Sequence, residues 1–377
     1  MSVTKRGGKW TVRWYDDGRR GRRRYKTFDL KEDAELFDAE VKRRRRLGTL
    51  AHIDAGAETL DHYTEHVFTP AHTAHLSPRT LTYYAQLYDF HISPTLGTTP
   101  LRMVTPELIG TWQAQLVAAG VGRATVRKAW TLLGQVLQRA FEGQRIPFNP
   151  QRLTRAVPPP PPTAVQPLAP APVEAIRAHL ARDKDGRKDL RWMRRRDAAL
   201  ISVLAYAGLR PEEARLLRWG DIRENTLLVH APKTHDTRTV RLLAPLAADL
   251  REWRLASGRP DDSAPVFPGS DRKPWTANGY AQWRGRVWRD ALAALDIPYR
   301  KPYALRHSYA SLLAHEGRSL PYIAEQLGHS VAVCAGTYQH VLSELEDQPR
   351  IGAEDAIREA RAASGGHMVD ASQGAGG

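Results

Sequence analysis

The chain has 377 residues, 42% of them hydrophobic, enough to bury two or three separate cores. No apolar run reaches the roughly 20 residues of a membrane span, the start MSVTKRGGKW lacks the apolar stretch of a secretory signal, and the single cysteine, Cys334, excludes a disulfide framework or a cysteine-rich zinc site. The formal charge of +15 favours a polyanionic partner, since phosphates bound by Lys and Arg release counterions.

Residues 1–48 hold 16 Lys/Arg against 8 Asp/Glu, more than half of that excess, so contact with the polyanion is expected to begin there. KWTVRWY (Lys9–Tyr15) alternates around Trp10, Val12 and Trp14, Asp17-Gly18 signals a hairpin turn, and RRRYKTF (Arg22–Phe28) returns. Arg13, Arg22 and Arg24 are the candidate nucleic-acid contacts of this small sheet. Asp29 is placed to cap a helix beginning near Lys31, with Ala34, Phe37 and Val41 at helical spacing.

From about residue 57 to 150 the pattern is helical throughout. Leu60/Tyr63/Val67, Leu81/Tyr84/Leu87, Trp112/Leu116 and Val126/Trp130/Leu133/Leu137 mark four amphipathic helices. Arg79, Arg123, Arg127 and Lys128 stand near helix starts, where they suit a DNA grip; a plain helical bundle explains them equally well. His62, His66, His72 and His75 have ligand-like spacing, but no third ligand accompanies either pair. Pro158 to Pro162, with Pro167, Pro170 and Pro172 after them, read as a stiff extended linker.

A larger, mostly helical segment follows. Ala198 to Ala207 is an apolar helix, Gly208 sits where a left-handed cap belongs, and Pro211, Glu212 and Glu213 suit the first turn of the next helix. Arg210 thus lies at a helix junction beside free backbone N–H groups, a setting suited to a phosphate oxygen, with Glu213 placed to hold its guanidinium. TLLVHA (Thr226–Ala231) and TRTVRLL (Thr237–Leu243) form a hairpin with Lys233 in its turn. Leu305, Tyr309 and Leu312 form a buried stripe that leaves Arg306 on a neighbouring face, free to clamp a phosphate or to be solvated. His329 follows the helix stop Leu327-Gly328, and Tyr338 shares helical spacing with Cys334 and Val341. Each residue alone is ordinary; their order and spacing are not.

These segments resemble the tyrosine recombinases of the phage-type integrase family. Gly208-Leu209-Arg210 with Glu213 is similar to its G-L-R-x-x-E, Lys233 to its hairpin lysine, Tyr303-Ala304-Leu305-Arg306-His307 to its H-x-L-R-H, and Leu327 to His329 with Tyr338 and His340 to its L-G-H-S and Y-x-H. Tyr303 departs from the pattern: many relatives carry there a histidine thought to help deprotonate the nucleophile. Tyr303 could itself hydrogen-bond the phosphate, with a relayed proton reaching His307 or His329.

The resemblance implies a mainly α, multidomain fold with small β elements. Residues 1–50 would be an arm-type DNA-binding domain, a three-stranded sheet with a helix. Residues 57–150 would be a helical core-binding domain with a SAM-like fold, 151–166 the linker, 167–350 a mixed, mostly α catalytic domain with its β-hairpin, and 351–377 a tail. In that tail EDAIREARAA is helical, SGGHMVDASQGAGG is expected to be disordered, and the helix is a candidate to dock on a neighbouring protomer. The implied chemistry is attack by Tyr338 on a DNA phosphodiester. Arg210, Arg306 and His329 would stabilise the phosphate, Lys233 would protonate the leaving oxygen, and Glu213, Tyr303 and His307 would support them. Implied partners are double-stranded DNA at attachment sites, three further copies in a tetramer on DNA, and an excisionase or host DNA-bending protein; no cofactor, metal or membrane enters. The implied location is cytoplasmic, on the nucleoid. An integrase of a mobile element fits better than a chromosome-dimer resolvase, which usually lacks the arm domain, or a type IB topoisomerase; a catalytically silent DNA-binding protein rests on Tyr303 alone.

Overall fold

The computed structural model describes residues 3–15, 22–50, 53–161, 166–182, 188–232, 236–344 and 349–370. The chain forms two compact units, Met1–Pro162 and Thr163–Gly377, with the division at the end of the proline run. Among the described residues no helix is long and apolar enough to cross a membrane.

The first unit contains two separate cores. Strands β1 (Thr4–Arg6), β2 (Lys9–Tyr15) and β3 (Arg23–Phe28) form an antiparallel sheet in that order, with Val12 opposite Lys26 and Trp14 opposite Arg24. The alternation in β2 turns Val12 and Trp14 onto helix α1 (Lys31–Arg46), where they are buried with Ala34, Val41 and Leu50. Asp29 does not cap α1: Leu30 holds the cap position without a side-chain bond, and Asp29 pairs with Lys9 at 3.1 Å.

The second core belongs to helices. Helix α2 runs from Leu60 to His72 through a π-helical turn at Thr64–Phe68. It packs with α3 (Pro78–His91), α4 (Pro106–Ala118) and α5 (Arg123–Glu142) around Leu60, Tyr63, Ile92, Trp112, Leu133 and Leu137. Ser77 and Thr105 cap α3 and α4 by accepting bonds from the backbone N–H of Thr80 and Leu108, with proline next in line at the first helical position.

The second unit is organised around α7 (Lys188–Tyr206), which is apolar over its last turns and packs on α6 (Pro170–Ala181). After α7 come α8 (Pro211–Leu216), the hairpin β4 (Thr226–His230) and β5 (Thr237–Arg241), and α9 (Ala244–Ala256). Helix α10 (residues 277–294) again contains a π-helical turn, at Arg284–Trp288. Helices α11 (Ala304–His315), α12 (Leu320–Leu327) and α13 (Val331–Glu344) carry the later motifs. This mainly α architecture, with one three-stranded and one two-stranded sheet among the described residues, is the expected fold class.

The C-terminal segment is different from expectation. Helix α14 (Ala353–Asp370) continues past Ala363 and packs on its own chain, burying Ala353, Ile357 and Ala360. Arg361 reaches Asp249 of α9 at 2.6 Å and Glu174 of α6 at 3.2 Å. Three apolar residues at helical spacing and a fitted ion pair make this a docked element of its own unit. Residues 371–377 lie outside the described residues.

Candidate active site

Three helix boundaries and one hairpin strand build the site. At the first boundary α7 ends and Gly208 takes φ +60°, the left-handed conformation a glycine tolerates without strain. Space as well as φ requires glycine here, because a Cβ would lie 2.5 Å from Cδ1 of Tyr309. The turn exposes the Gly208 carbonyl and places Arg210 immediately before α8. Glu213, whose side chain is fully buried, accepts from the Arg210 backbone N–H at 2.8 Å and from its guanidinium at 2.7 Å.

Glu213 also holds Arg238 of β5, through two bonds of 2.8 Å. Burial alone would raise the Glu213 carboxyl, but the bonds and charge of Arg238, followed by those of Arg210, outweigh it and hold the pKa at about 2. Sequence reasoning missed Arg238. The signal was the alternation of β5, in which Arg238 shares an inward face with the buried Val240.

Arg306 is not on a solvated face. It is fully buried, donating to the Gly208 carbonyl at 2.5 Å and to the Leu327 carbonyl, with His329 Nε2 3.0 Å from its NH2 group. Gly328, left-handed at φ +62°, ends α12 so that the Leu327 and Gly328 carbonyls turn toward the arginines; Gly328 accepts from Arg210 at 3.1 Å. Burial, then the charges of Arg210 and Arg238, lowers Arg306 to about 10, which leaves it cationic at neutral pH. Among the described residues, its Nε–H and the buried His329 Nδ1 have no partner. Two unfilled polar positions beside a buried cation suit an anion.

Tyr338 projects from α13 into the same place with 2% of its surface exposed, above the fully buried Cys334. Its hydroxyl lies 2.6 Å from Nδ1 of His307, on the turn of α11 that carries Arg306. Burial raises the tyrosine above its ordinary pKa, while the Arg306 charge works in the opposite direction. Burial and Arg306 depress both histidines: His307 to about 4, and His329, which also feels Arg210, to about 4. Both are therefore neutral at physiological pH. Tyr303 is 38% exposed and meets His307 edge to face at 5.3 Å; among the described residues, the bond to the Tyr338 hydroxyl is made by His307 and not by Tyr303.

Arg210, Glu213, Arg306, His307, His329 and Tyr338 thus come together, with Tyr303 at the margin. Lys233 and the side chain of His340 fall outside what is described. Of the candidate DNA contacts, Arg22, Arg79 and Arg123 have exposed side chains and Arg13 is half-buried. Arg24 pairs with Asp54 at 2.6 Å, and Lys128 sits over the Tyr83 ring at 5.5 Å. Arg127 donates to the Val157 carbonyl at 2.6 Å, which anchors the chain entering the proline run.

Residues 185–344 match the profile of the phage integrase family. Tyrosine recombinase XerC of Methylobacterium sp. (strain 4-46) is 31% identical over 265 residues, covering 65% of this chain and 77% of the relative. The chain belongs to the phage integrase family of tyrosine recombinases. A putative prophage phiRv2 integrase of Mycobacterium tuberculosis (strain H37Rv) is 27% identical over 331 residues, 84% of each chain. Coverage is uneven across the family: the match to XerC of Xanthomonas axonopodis pv. citri, at 33% identity, spans about half of that protein (47%). A λ integrase, solved as a tetramer bound to a Holliday junction, shares the fold with a TM-score of 0.59 at 17% identity, over 87% of this chain and 95% of that one.

Proposed function

We propose that this family member is a site-specific DNA recombinase of a phage or other mobile element, cutting and rejoining duplex DNA through a 3′-phosphotyrosyl intermediate on Tyr338. The observation that carries the reading is a buried tyrosine hydroxyl in the pocket where a buried arginine and a histidine keep unfilled polar positions. Likeness to a prophage integrase over 84% of both chains supports the mobile-element origin, and the basic, sheet-bearing N-terminal segment supports contacts beyond the core site. The partners proposed are double-stranded DNA at attachment sites, a tetramer assembled on it, and an excisionase or bending protein that sets direction. The proposed location is on the nucleoid.

In the forward step the Tyr338 oxygen bonds to phosphorus and the bond to the 5′-oxygen breaks. Arg306 and Arg210 stabilise the charge that grows on the non-bridging oxygens, and loss of one such donor typically costs on the order of 3 kcal/mol. His329, through Nδ1, adds a neutral donor. Lys233 supplies a proton to the departing 5′-oxygen. Glu213 acts by holding Arg210 and Arg238 in place. Since the broken ester is kept as a new ester, the reverse attack by another strand's 5′-hydroxyl completes exchange without an external energy source.

The test is covalent trapping on nicked duplexes tiled from the DNA flanking this gene. A denaturant-resistant adduct with the unaltered protein, lost in Tyr338→Phe, is expected. Binding without an adduct would return the chain to a DNA-binding scaffold.

A further inference from the structure

We propose that Nδ1 of His307 accepts the Tyr338 hydroxyl proton as the tyrosine attacks, taking the work that the family motif assigns to the position occupied here by Tyr303. This rests on Tyr338 being the nucleophile. The geometry is direct: the two atoms are 2.6 Å apart, inside the range a proton-transfer pair requires in the reacting state. Because His307 is the residue after Arg306 on α11, one helical turn carries both the phosphate ligand and the base.

The other candidates are committed elsewhere or lack the geometry. His329 directs Nε2 at the Arg306 guanidinium, 3.0 Å away, so this nitrogen is the acceptor and the ring's proton sits on Nδ1, which has no partner among the described residues. Tyr303 packs its ring against the side of His307 as a wall, and among the described residues it makes no bond to the Tyr338 hydroxyl. Cys334 is buried, and burial raises its thiol further from ionisation.

The charge balance is also favourable. Before DNA arrives, burial and the Arg306 charge keep His307 neutral, hence able to accept. A phosphodiester bound at Arg306 offsets that cation and makes an imidazolium at His307 less costly. As the Oη–P bond forms, the Oη–H bond breaks and its proton moves to Nδ1. The P–O5′ bond breaks, and the 5′-oxygen takes a proton from a separate ammonium donor, assigned above to Lys233. In rejoining, the imidazolium returns its proton to the departing Tyr338 oxygen.

The experiment follows adduct formation by the full-length protein on the nicked duplexes at saturating protein, with duplex affinity and thermal melting measured alongside. His307→Ala is expected to slow the adduct by about 10²–10⁴-fold with affinity unchanged, as for loss of a positioned base. Added imidazole should recover a large part of the rate, which a merely structural role would not allow. His307→Asn covers the case in which the alanine variant fails to fold: it retains a hydrogen-bonding oxygen but takes no proton, so it should fold and remain slow. A folded His307→Asn or His307→Ala that cleaves at the unaltered rate overturns the assignment while Tyr338→Phe still forms no adduct. An adduct that survives Tyr338→Phe removes the nucleophile reading, and this inference with it.

Discussion

Glu213 shows how much of the site depends on a residue placed to touch no substrate. Its carboxylate bonds one arginine at the surface of the site and another, Arg238, whose side chain is only 11% exposed. Glu213→Gln keeps the shape and removes the charge, leaving a buried guanidinium without its counter-ion. Breaking a buried pair in this way costs about 3–5 kcal/mol, and the amide's remaining hydrogen bonds place the loss near the lower end. The pH dependence gives the sign. Glu213 is held at about 2 in the folded chain against an ordinary 4.5, so its contribution is complete above pH 4.5 and disappears as pH falls toward 2. Denaturant midpoints should therefore show a gap between variant and unaltered chain at neutral pH that narrows at about pH 3. A gap that stays constant over that range would place the loss in shape rather than charge.

At the scale of elements, the turn around Gly208 was legible because its determinants are local. A left-handed glycine, a proline without N–H and acidic residues in a first turn each act within a few residues of one another. The helices of the first unit were legible through their apolar spacing, and the hairpin through its alternation. The burial of Arg306 was not, because what buries it comes from carbonyls 98 and 21 residues away in sequence. Arg238 escaped although the alternation of β5 turned it inward with Val240, because the carboxylate that fixes its role lies 25 residues away. Helix α14 was read as a helix and as a candidate to dock on a neighbour, since a periodic apolar face specifies that it must be covered and says nothing of by what. In the fold the cover is the chain's own α6 and α9. Ile357→Ala, at a fully buried position, should accordingly cost about 2–5 kcal/mol. Docking within one chain makes this loss independent of protein concentration. A midpoint that rises with concentration in the unaltered protein, but not in the variant, would instead place α14 on a second copy.

For the whole molecule, a charge of +15 predicts how binding responds to salt more directly than it predicts any single contact. If about 6–10 phosphates are neutralised, affinity for duplex should fall by roughly 10³–10⁵ between about 50 and 200 mM salt. The cations are not equivalent in this. Arg123 is exposed at the first turn of α5, so Arg123→Ala should weaken binding to every duplex alike and lower the salt slope by about 1. Arg127 lies one turn further along α5, but its guanidinium is spent on the Val157 carbonyl. Arg127→Ala should leave the slope nearly unchanged and instead loosen the chain before the proline run, seen as faster proteolysis near Val157. Anisotropy titrations of both variants over a salt series separate the two roles. Equal losses of slope would mean that Arg127 abandons Val157 for phosphate when DNA binds, and that the start of the linker is released by the same event.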